Sequence, residues 1–575
     1  MPDLGETLAG RFREAISKAF GLEADPLVRP TQDPAFGDYQ ANAAMGLAAQ
    51  MSASPRRVAE RIVEHLEVAD LAEPPEVAGP GFINLRLLPD YLGRWGAELA
   101  ADGRLGVDAQ AAPERIVVEY SQPNAAKEMH AGHLRSTVIG DALARILDFV
   151  GQRVIRQNHI GNWGTQFGML VECLVELGSP DRVRFDDLNQ LYQEAQARFQ
   201  AEPEFAERAR KRVVALQGGD EVTLDIWRRL IAESRRHFEE IYRRLGTTLD
   251  DYRGESFYNP MLPEVVGELE GKGLTQVSDG AVCVFPAGFA RPDGTPLPFM
   301  IQKSDGGYLY ATTDLAALRY RIFDLEAERI VYVVDARQSQ HFAMLFATAR
   351  MAGWLGDDVR AEHCAFGSVL GEDGRPFKTR AGDTVRLSDL LDEAEERAAA
   401  VVAEKNPELG ADDRKRVAQA VGIGALKYAD LSSHRVKDYV FSWDRMLAMD
   451  GNTAPYLQYA YARIQSIFRR GGVDPEELRS GGPLHIEHPA ERTLLIQVGR
   501  LPGTVRAVAE TLEPHRLCTH LYDLATSFSG FYERCPVLQA DDPEQRRSRL
   551  TLCDLTARGL ELGLGMLGIE VLDRM

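Results

Sequence analysis

Residues 121–143 read Ser121-Gln-Pro-Asn-Ala-Ala-Lys-Glu-Met-His-Ala-Gly-His-Leu-Arg-Ser-Thr-Val-Ile-Gly-Asp-Ala-Leu143, and the reading of the whole chain turns on them. The run Ile116–Tyr120 just before is rich in β-branched residues and predicts a strand. After the stretch begins, Leu134, Val138, Ile139, Leu143, Ile146, Leu147 and Val150 recur at helical spacing, and Gly151 is a natural stop. Another strand opens at Arg153. This is a β-loop-α-β unit, the building block of a doubly wound parallel sheet. His130 and His133 stand between the strand's carboxyl end and the helix N-terminus, where open α/β sheets bind ligands.

Three readings of the two histidines compete. Helical metal pairs usually sit four apart, as in H-E-x-x-H, with a further ligand elsewhere. These two are three apart, across a glycine, with no nearby cysteine or H-x-E pattern, so metal binding is disfavoured. A satisfied structural role is the default for an isolated histidine, but here two converge on one loop. The helix N-terminus carries unsatisfied N–H groups and a positive partial charge that attract phosphate. Gly132 permits close approach of a ligand, and imidazoles can donate hydrogen bonds to phosphate oxygens. A phosphate cradle is the preferred reading.

Working outward, the chain has 575 residues, enough for roughly three or four domains. No run of about eighteen apolar residues marks a membrane span, and the opening Met1-Pro-Asp-Leu-Gly-Glu6 is polar and acidic, unlike a secretory leader. Cys173, Cys283, Cys364, Cys518, Cys535 and Cys553 are scattered without a C-x-x-C pair, which predicts a cytoplasmic protein without structural zinc. A net charge of −20 argues against broad DNA binding but leaves room for local basic patches. The arginine-rich stretch Glu207–Arg244 is one candidate patch, or a solvated helix face, since its arginines alternate with acids.

The predicted organisation is a multidomain α/β protein. Residues 1–108 form a small α+β domain, with helices at Glu6–Phe20, Ala41–Met51 and Pro55–His65 and a strand within Gly79–Leu85. Residues 109–390 form a Rossmann-like, doubly wound parallel domain interrupted by a polar insertion near 180–290. Strands at Tyr308–Tyr310 and Ile330–Val334 resume it, with a helix from Ser339. A helical connection at 391–445 leads to an all-α domain at 446–575.

His130-Ala-Gly-His133 resembles the H-I-G-H signature of class I aminoacyl-tRNA synthetases, and Pro123–Thr137 closely resembles the arginyl-tRNA synthetases. The resemblance extends to Asn158-His-Ile-Gly-Asn-Trp-Gly-Thr-Gln-Phe-Gly168, with Asn162 where the family usually has aspartate. Tyr310–Asp314, Asp335–His341, Ala454–Arg463 and the ending Leu567–Met575 are also similar. The family's second signature, K-M-S-K-S, is replaced by Phe377-Lys-Thr-Arg-Ala381, so Arg380 stands where a lysine is expected.

The resemblance implies ATP-dependent activation of L-arginine and its transfer to the terminal adenosine of tRNA(Arg), with activation itself dependent on tRNA. Mg²⁺ accompanies ATP, and the protein is a monomer. Gly132, His130, His133, Gly161 and Phe366 are then candidate ATP ligands. His130, His133, Lys127, Lys378 and Arg380 are candidates for stabilising triphosphate charge, Lys127 compensating for the altered second motif. A guanidinium substrate calls for planar carboxylate acceptors. Glu119 and Asp314 are candidates, or else a salt-bridge partner and a helix cap; by resemblance Tyr310, Gln338 and Asn124 complete the contacts. Phe82 and Asn84, with Tyr39 and Gln40 behind them, are candidates for reading an RNA base, or an ordinary strand pair. Tyr456, Tyr459 and Arg463 share a helical face suited to an unstacked anticodon, or pack in the core. Two rival functions remain: an adenylyl-transferring enzyme without tRNA, and a catalytically silent RNA-binding paralogue.

Overall fold

The computed structural model describes residues 3–31, 33–176, 188–375, 377 and 385–575. They form two compact units, one of Gln110–Lys405 with Gly410–Met446, the other of Met1–Ala109, Asn406–Leu409 and Leu447–Met575.

The first unit is built on a five-stranded sheet ordered Arg360–His363, Arg329–Tyr332, Arg115–Glu119, Arg153–Asn158, Asp251–Tyr252. Every pairing is parallel. The first strand in sequence therefore sits mid-sheet, and the chain winds to one edge before returning to the other side. That reversal opens a crevice at the carboxyl end of Arg115–Glu119, the usual ligand site of such sheets. Val117, Ile330 and Val331 are fully buried, as strands covered on both faces require. The signature helix runs Ala131–Phe149 and packs closely on the sheet. A Cβ at Gly140 would fall on the Tyr120 ring, so glycine is needed for that approach.

The polar stretch holds more than an insertion. Helices Leu188–Ala201, Pro203–Gln217 and Glu221–Leu245 come first, but Asp251–Tyr252 then joins the central sheet. A separate antiparallel sheet of Thr275–Ser278, Ala281–Val284 and Phe299–Gln302 follows. The strand expected at Tyr308–Tyr310 is instead a single bridge from Tyr308 to Gln302, and a helix starts at Tyr310. Along Glu221–Leu245 the arginines pair with acids one turn away: Arg229 with Asp225 at 3.0 Å, Arg235 with Glu239 at 2.7 Å and Arg243 with Glu240 at 2.6 Å. Of the two readings of this stretch, these pairs favour the solvated face.

The second unit combines the two ends of the chain. A four-stranded antiparallel sheet, ordered Val28–Pro30, Tyr39–Ala41, Phe82–Leu85, Glu76–Ala78, packs with helices Leu4–Phe20 and Pro55–Glu64. The C-terminal part is all helix: Ala454–Gly471, Pro489–Val498, Leu501–Thr511, His515–Arg534 and Pro543–Met566. The two parts are bonded together. Arg492 donates to both carboxylate oxygens of Asp38 at 2.8 and 2.7 Å, and Trp95 packs so tightly against Gly499 that a Cβ there would strike the ring.

Candidate active site

His130 is the N-cap of the signature helix, in extended backbone. Its Nδ1 accepts the Gly132 N–H at 3.1 Å, and His133 Nδ1 accepts the His130 N–H at 3.0 Å. A nitrogen that accepts carries no proton, so both rings hold theirs on Nε2. Each imidazole thus presents an N–H donor away from the backbone. Burial keeps both neutral: it lowers His133 to about 3, with the neighbouring His130 as a second cause. His130 is lowered too, by burial and then by Lys127. The pair therefore offers hydrogen-bond donors rather than charge. Gly132 has a local role, since a Cβ there would come within 2.8 Å of the His130 ring.

The loop between strand and helix is held in left-handed backbone at three non-glycine positions: Ser121 at φ 76°, Gln122 at 51° and Ala126 at 62°. Such positions persist only when the surroundings fix them. Ser121 N–H donates to Ser136 Oγ at 2.9 Å, Gln122 N–H to Asn158 Oδ1 at 3.1 Å, and Ala126 N–H to Ser234 Oγ at 2.8 Å. Gly161 locks the far side: its carbonyl accepts from Ala125 and its N–H donates to Pro123 O. A Cβ on Gly161 would collide with Asn124 Oδ1, so this glycine makes room for the exposed Asn124 side chain.

The carboxylates divide into two sets. Glu119, Gln157 and Tyr332 lie in register on adjacent strands, so they share one face of the sheet. Arg321, fully buried, lies across that row. It is ion-paired with Glu119, donates to Gln157 Oε1 at 2.6 Å, and lies 5.0 Å from the Tyr332 ring centroid. The other Glu119 oxygen accepts from Gln122. Glu119, 5% exposed, thus has partners within the chain, the arrangement that its salt-bridge alternative expects.

Asp314, in the first turns of helix Tyr310–Phe323, remains partly open and accepts from His341 Nε2 at 2.7 Å. Its counterpart is Glu255, which sequence reasoning missed. Burial raises Glu255 to about 7, the Trp163 N–H at 3.3 Å opposes the rise, and the charge of Asp314 adds to it. Two carboxylates that feel one another across a crevice are a ready receptor for one guanidinium. Glu255 follows the two-residue strand Asp251–Tyr252, and that strand's position in the sheet was the only signal for it. Asn162 braces the same turn: its Oδ1 accepts the Ser256 N–H and its Nδ2 donates to Ser256 Oγ, both at 2.9 Å.

Tyr310 is 65% exposed beside His341, with ring centroids 5.2 Å apart, and Gln338 is exposed on the turn Ala336–Gln338. The Phe366 side chain is buried, and its backbone bridges to Asp335, leaving main-chain groups as its means of contact. Lys127 lies near His130, its Nζ over the Tyr192 ring. Lys378 and Arg380 lie outside the described residues.

Comparison with known proteins fits this geometry. Residues 97–443 match the tRNA synthetases class I (R) catalytic domain. The chain belongs to the arginyl-tRNA synthetase family. The arginyl tRNA synthetase N terminal domain matches residues 6–87, and the DALR anticodon binding domain matches 457–575. The arginine–tRNA ligase of Synechococcus elongatus is 52% identical over 99% of both chains, and that of Thermobifida fusca 52% over 100% of both. The crystal structure of the arginyl-tRNA synthetase of Plasmodium falciparum superposes with a TM-score of 0.86 at 30% identity, covering 100% of both chains. As a family member, this synthetase is an arginine–tRNA ligase.

Its candidate RNA contacts fall into two groups. In the synthetase's N-terminal sheet Gln40 and Asn84 are register partners, and Gln40 Nε2 donates to Asn84 Oδ1 at 2.8 Å. Phe82 is half-buried two residues before Asn84, whose Nδ2 is buried without a partner. Tyr39 is only 2% exposed, on the opposite, core-facing side of its strand, so it is corrected from base contact to core. On helix Ala454–Gly471, Tyr459 is 47% exposed. Tyr456 lies 5.9 Å from Tyr522, and Arg463 lies over Tyr532 at 4.5 Å. A second helix thus contributes to this aromatic and basic face.

Proposed function

We propose that the crevice carries arginine activation with the following division of labour. Asp314 and Glu255 take the substrate guanidinium, with Tyr310 and Gln338 beside it and Asn124 at the α-amino end. Glu119 acts one layer behind, holding Arg321. His130 and His133 donate Nε2–H groups to ATP, Gly132 and Gly161 shape the loop around it, and the Phe366 backbone contacts the nucleotide. Lys127 supplies positive charge to the triphosphate, joined by Lys378 and Arg380 from the second motif. The arginine carboxylate attacks the α-phosphate, pyrophosphate leaves, and a hydroxyl of the terminal adenosine of tRNA(Arg) then takes the arginyl group. No side-chain nucleophile is required. Mg²⁺ enters as part of the ATP substrate, held mostly by phosphate and water. Phe82, Asn84 and Gln40 read an outer base of the tRNA, and Tyr456, Tyr459 and Arg463 meet the anticodon. The protein works as a monomer in the cytoplasm. Among the described residues no helix is long and apolar enough to cross a membrane.

The observation that carries this reading is the histidine pair at the start of helix Ala131–Phe149, whose Nδ1 atoms accept backbone N–H groups and leave both Nε2–H donors for phosphate. The test is pyrophosphate exchange with each amino acid, with and without tRNA(Arg). Exchange that requires both arginine and tRNA is expected; exchange without tRNA would favour a simple adenylyl transferase, and none at all a silent paralogue.

A further inference from the structure

The backbone around Lys127 is fixed on several sides. Its own N–H donates to Asn124 O at 3.3 Å, Ala126 is tied to Ser234, and Met129 O accepts from Leu387 at 2.9 Å. The side chain is another matter. A lysine stem has four rotatable bonds and about 2 kcal/mol of rotamer entropy to lose before its ammonium is useful at one place. Among the described residues no carboxylate pairs with it. Instead Nζ lies 4.5 Å from the ring centroid of Tyr192. That tyrosine projects from the insertion helix Leu188–Ala201, half-buried, next to Leu188, Leu191 and Ala195, which anchor the helix by their burial.

An aromatic face and a carboxylate hold an ammonium in different ways. A carboxylate neutralises the charge, occupies its donors and repels an incoming triphosphate. A ring attracts the cation through its quadrupole, leaves the charge intact, and leaves the N–H donors on the open side free. Tyr192 thus suits a lysine that must be placed yet remain available to phosphate. We propose that Tyr192 is a positioning residue for the reaction: its ring holds the Lys127 ammonium ready for the charge that develops on the triphosphate. The insertion helix then contributes to the chemistry through one side chain. This inference rests on the proposed role of Lys127.

The test uses the full-length enzyme with tRNA(Arg), reading kcat and both KM values of pyrophosphate exchange, with thermal melting of each variant. Tyr192→Leu is expected to lower kcat about two- to fivefold, the range of a cation–π contact, with the arginine KM unchanged. Tyr192→Phe and Tyr192→Trp, which keep the ring, restore the rate. In a Lys127→Ala background, Tyr192→Leu adds no further loss, because the two act as one unit. Should the leucine variant fold poorly, Tyr192→Gln carries the same expectation. Equal losses in both backgrounds, or a Phe variant as slow as the Leu variant, overturn the inference. So does a Leu variant as fast as the native enzyme when Lys127→Ala is slow. If Lys127→Ala itself stays within about threefold (under ~0.7 kcal/mol), the role of the lysine fails first, and the positioning role with it.

Discussion

Two carboxylate sites at the carboxyl end of the central sheet differ in their partners, one held by a guanidinium of the chain and the other proposed to take the guanidinium of the substrate. Glu119 is closed: Arg321 of the same chain lies over it without solvent contact, spanning three strands. Asp314 and Glu255 form the open site, with no arginine over them among the described residues: one is partly exposed, and the other is pushed toward neutrality by burial and by the charge of Asp314. The closed site has its ligand built in and contributes to order. The open one keeps a partly exposed carboxylate, Asp314, with His341 as its neighbour. Asp314 and Arg321 belong to the same helix, seven residues or two turns apart, so one helix face serves both sites. What separates the two sites is their partner: Glu119 faces a buried arginine of its own chain, Asp314 a histidine at a partly exposed position.

The comparison can be broken most forcefully at the closed site. Glu119→Gln leaves Arg321 buried without its counter-charge and should remove about 3–5 kcal/mol of stability, measured by chemical denaturation, while the arginine KM of the folded enzyme stays within about twofold. A large KM change with native stability would transfer Glu119 to the open site. Next comes Asp314→Asn, which removes half of the proposed guanidinium receptor. A loss of about 2–5 kcal/mol, at least roughly thirtyfold in kcat/KM for arginine, is expected, with little change in melting temperature. Unchanged arginine dependence would sink the pocket assignment.

A third outcome is a pH dependence. Glu255 is raised to about 7 by burial and by Asp314, and a guanidinium bound beside it, as proposed, would favour its ionised form. Arginine binding therefore releases a proton below that pH, and kcat/KM should fall as the medium becomes more acidic, by up to about tenfold per unit. Glu255→Gln should lose that limb. His133, titrating near 3, cannot supply it, so a limb that survives in the Gln variant would contradict this account. The smallest effect concerns Asn162, which departs from the family's usual aspartate. Asn162→Asp keeps an acceptor for the Ser256 N–H but adds charge beside Glu255. It should move the same limb to higher pH by about one unit; a shift the other way would show that the side chain acts through the turn's geometry alone.

Much of this architecture was legible in the sequence because it is periodic. The strand before Ser121, the helix after His130 and the strand near Ile330 are regular and largely apolar, and each lies within three residues of where its pattern indicates. The histidine pair was legible because a glycine, a strand end and a helix start surround it. Glu255 was not, because the strand that delivers it has two residues and no pattern. Nor could the sequence say that Glu119 is ion-paired, since Arg321 lies about two hundred residues away and reaches it from helix Tyr310–Phe323 only in the folded chain. Tyr39 failed for a related reason. Alternation says that Tyr39 and Gln40 face opposite ways, but only the pairing of Gln40 with Asn84 tells which of them shares a face with Phe82.

The bidentate contact from Arg492 to Asp38 has a consequence for RNA recognition as well as for packing. It joins the sheet bearing Phe82 and Asn84 to the helices bearing Tyr456 and Tyr459 within one compact unit. An RNA touching both faces makes its second contact intramolecularly, at a spacing set in advance and without the entropy of a flexible tether. On the proposed RNA contacts, the two faces would act as one gauge of length, and an RNA of the wrong span would lose the avidity even with every contacted base correct.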